Sequence, residues 1–309
     1  MTTLNIIGCG RAASTLARLW RQHGVVQIGA VLTRSHAGAL AACDFVGGGR
    51  AVAEMAAMGP AGLWLLGVPD REIAAAARRL AGCGLVRPGD GVFHLSGFGA
   101  SALLAPLGAL GAGIASVHPV LSFAEPGRAL DQFAGTLCGV EGSADLCARL
   151  TQLFAAIGGH CFALDAAHKP LYHAASEFAS HFLVVIMDLA RKAYLAAGVA
   201  PETADRLLAP LARGALANVI ERGARHALTG PAARGDHAVV SAQQRAVTQW
   251  SGEAGEAYAA LTALAYRLAS ECGSDAVPAG GPPAAGTPSF GEDAAQRQEG
   301  RPLSDRRPR

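Results

Sequence analysis

The chain predicts an open α/β fold, a doubly wound sheet followed by an all-α region and then a tail with no fold of its own. Three observations lead there. Leu4-Asn5-Ile6-Ile7 runs directly into Gly8-Cys9-Gly10-Arg11-Ala12-Ala13 and then into a helix-like segment from Ser14 to Gln22. Short apolar runs then alternate with helical segments as far as Leu164, the rhythm of β-α units. After Leu164 the strand-like runs stop, and Asp165 to Leu195, Pro201 to Arg222 and Val239 to Cys272 read as long helices. A break between Leu164 and Asp165 therefore separates a first domain, 1–164, from a helical domain, 165–273. From Ser274 the composition shifts to Pro, Gly, Ala, Arg, Asp and Gln, too little apolar area to order a chain, so 274–309 is expected to be a disordered tail.

Composition narrows the functional classes. Of 309 residues, 51% are hydrophobic and only 16% charged, which fits a well-buried globular protein. A net charge of +2 gives neither a nucleic-acid footprint nor a funnel for acidic substrates. The cysteines (Cys9, Cys43, Cys83, Cys138, Cys147, Cys161 and Cys272) are odd in number and form no CxxC pair, the pattern of free thiols in a reducing compartment. The ten histidines show no HExxH or paired-ligand spacing, so no metal site is expected. Met1-Thr2-Thr3-Leu4 lacks the basic and apolar regions of a signal peptide, and the apolar run Leu183–Met187 lies between His181 and Asp188, too short to span a membrane. The expectation is a soluble, cytoplasmic protein.

The first strand–turn–helix carries a G-x-G-x-x-[G/A] pattern in the context it requires. Gly8 turns the chain, Gly10 lets main chain approach a pyrophosphate, and Ala13 keeps helix and strand close. Cys9, Arg11 and Ala12 complete the turn, and the helix N-terminus offers free N–H groups to phosphate. The next strand, Val25 to Leu32, ends in Thr33-Arg34-Ser35. An acidic residue there would bind the ribose hydroxyls of NAD. A guanidinium flanked by hydroxyls suits a 2′-phosphate instead, so the predicted cofactor is NADP(H). Leu63-Trp64-Leu65-Leu66 is the next buried strand, closing in Gly67-Val68-Pro69 against the same crevice, with Asp70 as the cap of the helix that follows.

Ligands of doubly wound sheets lie beyond the carboxyl ends of the strands. Gly91 to Leu95 ends in Ser96-Gly97 and Gly113 to Val117 ends in His118-Pro119, so Ser96, Gly97 and His118 fall where the nicotinamide belongs, whereas His94 is placed as a core histidine. Phe133 to Val140 and Cys161 to Leu164 are two further strand-like runs flanking a helix over Ala144 to Ile157, which extends the sheet past six strands. At about 100° per residue, Lys169, His173, Ser176 and Ser180 share one strip of the first long helix, with Tyr172 at its edge, and the strip turns apolar at Leu183 and Met187. A helix polar for three turns and then apolar is one whose first half lines a cleft. Between the second and third long helices, Thr229-Gly230-Pro231-Ala232-Ala233-Arg234-Gly235-Asp236 is a loop whose Arg234 can either pair with Asp236 or meet a substrate.

Taken together, the glycine turn, Thr33-Arg34-Ser35, Val68-Pro69-Asp70, His94-Leu95-Ser96-Gly97 and Ser116-Val117-His118-Pro119 resemble the Rossmann-like half of the DUF2520 family. Lys169-Pro170-Leu171-Tyr172-His173-Ala174-Ala175 and the Thr229–Asp236 loop resemble its helical half. The architecture is similar to pyrroline-5-carboxylate reductase, ketopantoate reductase and the β-hydroxyacid dehydrogenases. That resemblance implies NADP(H) on the first domain and a helical domain that closes the substrate cleft and pairs with a second copy. It also implies a helix-borne lysine near the reacting carbonyl, the position of Lys169. Two residues depart from the family pattern: His181 stands in place of asparagine and Gln243 in place of histidine.

The expected function is reduction of a small keto acid or cyclic imine by hydride transfer. Lys169 would polarise the acceptor or donate the proton, His173 or His118 would relay it, and Tyr172, Ser176, Asn218, Thr229, Arg234 and Asp236 would hold the substrate. The alternative is a non-catalytic NADP(H)-binding sensor or interaction protein on the same scaffold, which the departures at His181 and Gln243 would permit.

Overall fold

The computed structural model describes residues 1–271; the tail expected over 274–309 lies outside the described residues. In order, the elements are β1 (Thr2–Ile7), α1 (Arg11–Gln22), β2 (Val26–Leu32), α2 (His36–Val46), β3 (Arg50–Val52), β4 (Leu63–Leu66), α3 (Asp70–Gly82), β5 (Gly91–His94), α4 (Ala105–Gly108) and β6 (Gly113–Pro119). Then follow α5 (Pro126–Gln132), β7 (Leu137–Gly142), α6 (Ala144–Ala155), β8 (His160–Ala163), α7 (Lys169–Ala179), α8 (His181–Ala196), α9 (Pro201–Ala227), α10 (His237–Trp250) and α11 (Gly252–Glu271). The strands form one eight-stranded sheet in the order β3-β2-β1-β4-β5-β6-β7-β8. All neighbours are parallel except β6 and β7. This is the expected Rossmann-like sheet with helices on both faces.

The central strands read as continuous apolar runs because both faces are covered. Leu63, Trp64, Leu65 and Leu66 are all buried, with one core on each side of the sheet. On one side Trp20 packs edge-on against Phe154 at 5.2 Å and donates its indole N–H to the carbonyl of Leu153 at 3.2 Å, satisfying a polar atom that would otherwise be stranded. One buried polar residue has a structural task. The β1–β2 register slips between Leu4 and Ile6, and the Asn5 side chain bridges the slip by accepting from the Ala30 N–H at 2.7 Å and donating to the Gly59 carbonyl at 3.0 Å. A Cβ at Gly29 would collide with that amide oxygen, which is why β2 carries a glycine in its middle.

Several expected boundaries shift. Helix α1 begins at Arg11, ahead of Ser14, so its free N–H groups start immediately after the glycine turn. Strand β7 begins at Leu137 rather than Phe133, which is itself buried in the core. Asp70 is the first residue of α3, with Pro69 in the cap position. The helix expected over Asp165–Leu195 is three elements. Asp165 accepts from the Ala167 N–H at 2.8 Å and caps a short turn, α7 follows, and the helix breaks at Ser180 (φ −130°, ψ −73°) before α8. The helix expected from Val239 is likewise two, because Ser251 is extended (φ −154°) and its hydroxyl accepts from the Ala254 N–H at 3.2 Å to start α11.

The chain divides into two compact units, Met1–Ala190 and Arg191 onward, not at Leu164/Asp165. The reason is that α7 is tied to the sheet through its side chains, as described below. In the second unit α9 runs through Pro210 and changes direction at Gly223 (φ 75°). Helices α10 and α11 pack as a close pair: the Gln244 amide donates to the Gly255 carbonyl at 2.8 Å, and a Cβ at Gly255 would strike Thr248. No helix among the described residues is long and apolar enough to cross a membrane.

Candidate functional site

The first part of the site is a cradle at the carboxyl ends of β1, β2 and β4. Gly8 has φ +78°, and a Cβ there would lie 2.5 Å from a methyl carbon of Val68 and 2.8 Å from its nitrogen. The turn is pinned on both sides, Gly8 N–H to the Leu32 carbonyl at 2.7 Å and Gly67 N–H to the Ile7 carbonyl at 2.8 Å. Gly10, by contrast, faces open space, its nearest neighbour being the Gly67 carbonyl 3.9 Å from where a Cβ would stand. This is main chain left bare for close approach by a ligand. Gly8, Cys9, Gly10, Thr33, Arg34, Ser35, Gly67, Val68 and Pro69 line one cavity of ≈ 1230 Å³. Arg11 and Ala12 start α1 behind it and do not line it.

The hydroxyls beside Arg34 are already occupied. Thr33 donates to the Ser35 carbonyl at 2.8 Å, and Ser35 accepts from the Gly38 N–H at 3.1 Å as the cap of α2. They shape the loop, and the guanidinium of Arg34 is left to meet charge. The sequence reading missed Arg71, Glu72 and Arg79, which line the same cavity from α3. Their signal was present in the spacing: 71, 72, 75, 76 and 79 form one helical face.

The second part lies at the ends of β5 and β6, where α7 meets the sheet. Ser96 and Gly97, expected at the cofactor, belong to this part and not to the cavity. Lys169 was expected to face the reacting carbonyl; instead its side chain has 0% exposure. Its ammonium donates to the Ser96 carbonyl at 2.9 Å and the Ser116 hydroxyl at 2.7 Å, and stands 3.8 Å from a carboxylate oxygen of Glu141. Glu141 in turn accepts from both the N–H and the hydroxyl of Ser101, each at 2.7 Å. Burial holds the lysine below its ordinary pKa, opposed by the charges of Glu141 and Asp70. The enclosed ammonium cannot touch a substrate, so the direct polarising role is corrected to an anchoring one. Glu141, Ser101 and Ser116 were not foreseen, since no local pattern relates them to Lys169.

From that anchor α7 presents Tyr172 and His173 one turn further on. The Tyr172 hydroxyl lies 2.9 Å from Nδ1 of His118, with the rings edge-to-face at 5.6 Å. The His173 ring centroid is 5.7 Å from that of His118. Gly97 sits against both imidazoles: a Cβ there would collide with the His173 ring and fall 2.8 Å from Nε2 of His118. His118 is pushed down to about 4, chiefly by burial and then by the neighbouring charges of His173 and Lys169, so its ring is neutral at pH 7. Burial, then the nearby Cys138, pushes Tyr172 up, so the phenol keeps its proton.

The loop between these groups is itself anchored. The Ser96 hydroxyl donates to Asp70 at 2.6 Å and accepts from the N–H groups of Gly99 at 2.6 Å and Phe98 at 3.2 Å. Asp70 begins α3, immediately after the Gly67-Val68-Pro69 turn, so one hydrogen bond joins the edge of the cradle to the edge of this second part. His94 is a core histidine as expected, fully buried and bonded to the Ala100 carbonyl and the Ser96 N–H, and burial lowers it to about 4.

The remaining expected site residues have partners of their own or belong to the second unit. Ser176 lends its carbonyl to the Ser180 hydroxyl at 2.6 Å. His181 pairs with Glu177 at 2.7 Å, and Glu177 also faces His173 at 3.9 Å. Asn218, Thr229, Arg234 and Asp236 belong to the second unit. There Arg234 pairs with Asp236 at 3.1 Å, the first of the two roles the sequence left open. Gln243 accepts from the Tyr258 hydroxyl at 2.8 Å and so serves the packing of α10 on α11. Among the described residues no cluster of three or more His, Cys, Asp or Glu is arranged to hold a metal ion.

Residues 2–119 match the family model of the Rossmann-like domain, and residues 136–265 match that of the domain of unknown function DUF2520. No curated protein matches the sequence. Among solved structures, a protein of Thermotoga maritima is 28% identical, with a TM-score of 0.67 over 87% of this chain and 98% of its own. A Bacteroides fragilis protein provisionally assigned as an NADP oxidoreductase is 20% identical, with a TM-score of 0.69 over 86% of this chain and 98% of its own. Pyrroline-5-carboxylate reductase of Coxiella burnetii is 17% identical, with a TM-score of 0.54 over 88% and 98% respectively. At such identities the last two speak for the fold.

Proposed function

We propose that this chain, a Rossmann-like domain joined to a DUF2520 domain, is an NADP(H)-dependent reductase of a small keto acid or cyclic imine. The observation that carries the reading is the pairing, within one compact unit, of a bare glycine cradle beside Arg34 with a proton-donating pair, His118 and Tyr172, at the strand ends. The fold is shared with the Coxiella reductase and the Bacteroides protein, which makes nicotinamide chemistry the first to test.

The cradle fits the cofactor. The N-terminus of α1 and the open face at Gly10 take a pyrophosphate, and Arg34 takes the 2′-phosphate by charge-assisted bonds. Bound there, NADPH would supply the hydride. The chain's own task is to hold the acceptor and to deliver a proton as charge develops on its oxygen or nitrogen. With the Tyr172 hydroxyl donating to Nδ1, the neutral ring of His118 carries its proton on Nε2, the edge that faces Gly97. His118 gives that proton to the acceptor, and the Tyr172 proton replaces it at Nδ1. His173 stands beside the pair and shapes the approach. Lys169 acts as a positioning residue, fixing the Ser96 carbonyl below and α7 above.

Pairing with a second copy belongs to the same proposal. Helix α8 exposes Phe182, Val184 and Val185, and α9 in the second unit exposes Leu211, Leu216 and Ile220. Large apolar side chains exposed in series along a helix normally lie in an interface; light scattering should give twice the chain mass.

The deciding experiment follows NADPH absorbance against a panel of 2-oxo acids, 3-oxo acids and cyclic imines. Turnover with at least one, at least tenfold faster with NADPH than with NADH, is expected. Tight NADPH binding with no oxidation by any of them would overturn the reductase reading in favour of a cofactor-binding sensor.

A further inference from the structure

Two of the cysteines are direct partners in the sheet. Cys138 of β7 and Cys161 of β8 occupy the same register position in neighbouring parallel strands. Such neighbours have Cα atoms about 4.8 Å apart, inside the roughly 4.4–6.8 Å range that a disulfide spans without moving the backbone. Both side chains point to the same core, where Cys138 is fully buried and Cys161 is half-buried and so open to a small oxidant. On the opposite face, the next residues along, Gly139 and Phe162, form the floor under Tyr172: a Cβ at Gly139 would lie 3.1 Å from the phenol oxygen, and the Phe162 and Tyr172 ring centroids are 6.2 Å apart.

We propose that Cys138 and Cys161 are a thiol–disulfide site oxidised by hydrogen peroxide. The Cys161 thiolate attacks one peroxide oxygen, the O–O bond breaks, hydroxide leaves, and Cys161 becomes a sulfenic acid. The Cys138 sulfur then displaces that hydroxyl: the S–S bond forms, the S–O bond breaks, and the thiol proton departs with the oxygen as water. Two thiols are oxidised by two electrons, and one peroxide becomes two waters.

The local electrostatics suit these roles. Cys161, half-buried, is the thiol an oxidant reaches first, and its neighbours Cys138 and Thr151 hold it below its ordinary pKa, which favours the attacking thiolate, whereas Cys138 is raised. Closing the bond draws the two Cβ atoms to about 3.8 Å, one residue along each strand from the Gly139–Phe162 floor beneath Tyr172. The site stands apart from the reductase reading, because its chemistry needs neither cofactor nor substrate.

The test is peptide mapping of the full chain after brief exposure to hydrogen peroxide, with free thiols alkylated before digestion. The expected result is an intramolecular Cys138–Cys161 peptide and a fall from seven to five thiols per chain, both reversed by dithiothreitol. In Cys138→Ser, dimedone should label Cys161 as the trapped sulfenic acid. Thiol loss without that linked peptide, a Cys147–Cys161 bridge, links between chains, or no loss of thiols would each overturn the proposal. The mapping uses the natural chain, so the answer does not depend on any variant folding.

Discussion

At the Gly8 end of the sheet the site is made of main chain and of side chains that are missing, whereas at the β5–β6 end it is made of side chains brought together across 28 to 73 residues of sequence. The first end works by leaving space: no Cβ at Gly8, and nothing close to Gly10. The second works by filling it, with Lys169, Glu141, Ser101, Ser116 and Ser96 satisfying one another out of water. The two should therefore fail differently. Damage to the cradle costs affinity, and damage to the network costs stability and geometry.

The largest effect expected is at Lys169. Lys169→Met leaves the Glu141 carboxylate buried without its cation, a loss of about 3–5 kcal/mol in unfolding free energy, while NADPH affinity of the folded fraction stays within about twofold of the natural chain. Adding Glu141→Gln should restore much of the stability, because the stranded charge goes with it. A loss below about 1 kcal/mol in denaturant titration would remove the network from its anchoring role and dissolve the contrast.

Acid should separate the two ends next. His94 and His118 stay neutral down to about pH 4, against an ordinary value of 6.5, so the unfolded chain binds more protons than the folded one between those limits. Stability then falls as pH drops from 6.5 towards 4, by about 3 kcal/mol for each histidine once the window is crossed. Above pH 6.5 these two groups contribute no slope. The glycine cradle is main chain with nothing to protonate, so this acid loss belongs to the histidine end and is read as the denaturation midpoint of the cofactor-free chain. For the proposed reaction the donor is lost on the alkaline side, when the pair gives up the Tyr172 proton, and burial sets that limb of kcat/KM above the ordinary phenol range; an alkaline limb near 6.5 would show that the Tyr172–His118 pair is not the proton donor.

A smaller effect sharpens the chemistry. Tyr172→Phe keeps the ring packed on Phe162 but removes the proton behind His118, and turnover should fall about 100-fold with NADPH binding intact. The smallest falls on Arg34. Arg34→Ala should weaken NADPH about tenfold, near 1.4 kcal/mol, and NADH hardly at all; equal losses for both would show that Arg34 does not read the 2′-phosphate.

The contrast also explains what could be read from the sequence. The cradle was legible because its requirements are local: a glycine at a positive φ, a second left bare, an arginine at the end of the next strand. The strand ends that carry Ser96 and His118 were legible for the same reason. Lys169, Tyr172 and His173 were correctly grouped by helical spacing, yet that spacing says nothing of what the helix packs against. Whether Lys169 points to water or to Glu141 is decided by a partner 28 residues upstream on an antiparallel strand, and nothing near Glu141 announces it. The break at Ser180 was hidden by apolar periodicity that continues on either side of it. Asn5 was read as one more strand residue, since the register slip it repairs exists only between two strands.

Lys169 is the first residue of α7, and this makes the helix a ruler fixed at its zero mark. Each residue counted from the bolt turns the next side chain by about 100°, so the third and fourth positions alone meet His118. One alanine inserted between Leu171 and Tyr172 would swing the phenol off its target without touching either partner. The same alanine inserted after Ser176 would leave the pair aligned and shift only what lies beyond. Length, and not only composition, is under constraint in those few residues between the bolt and the phenol.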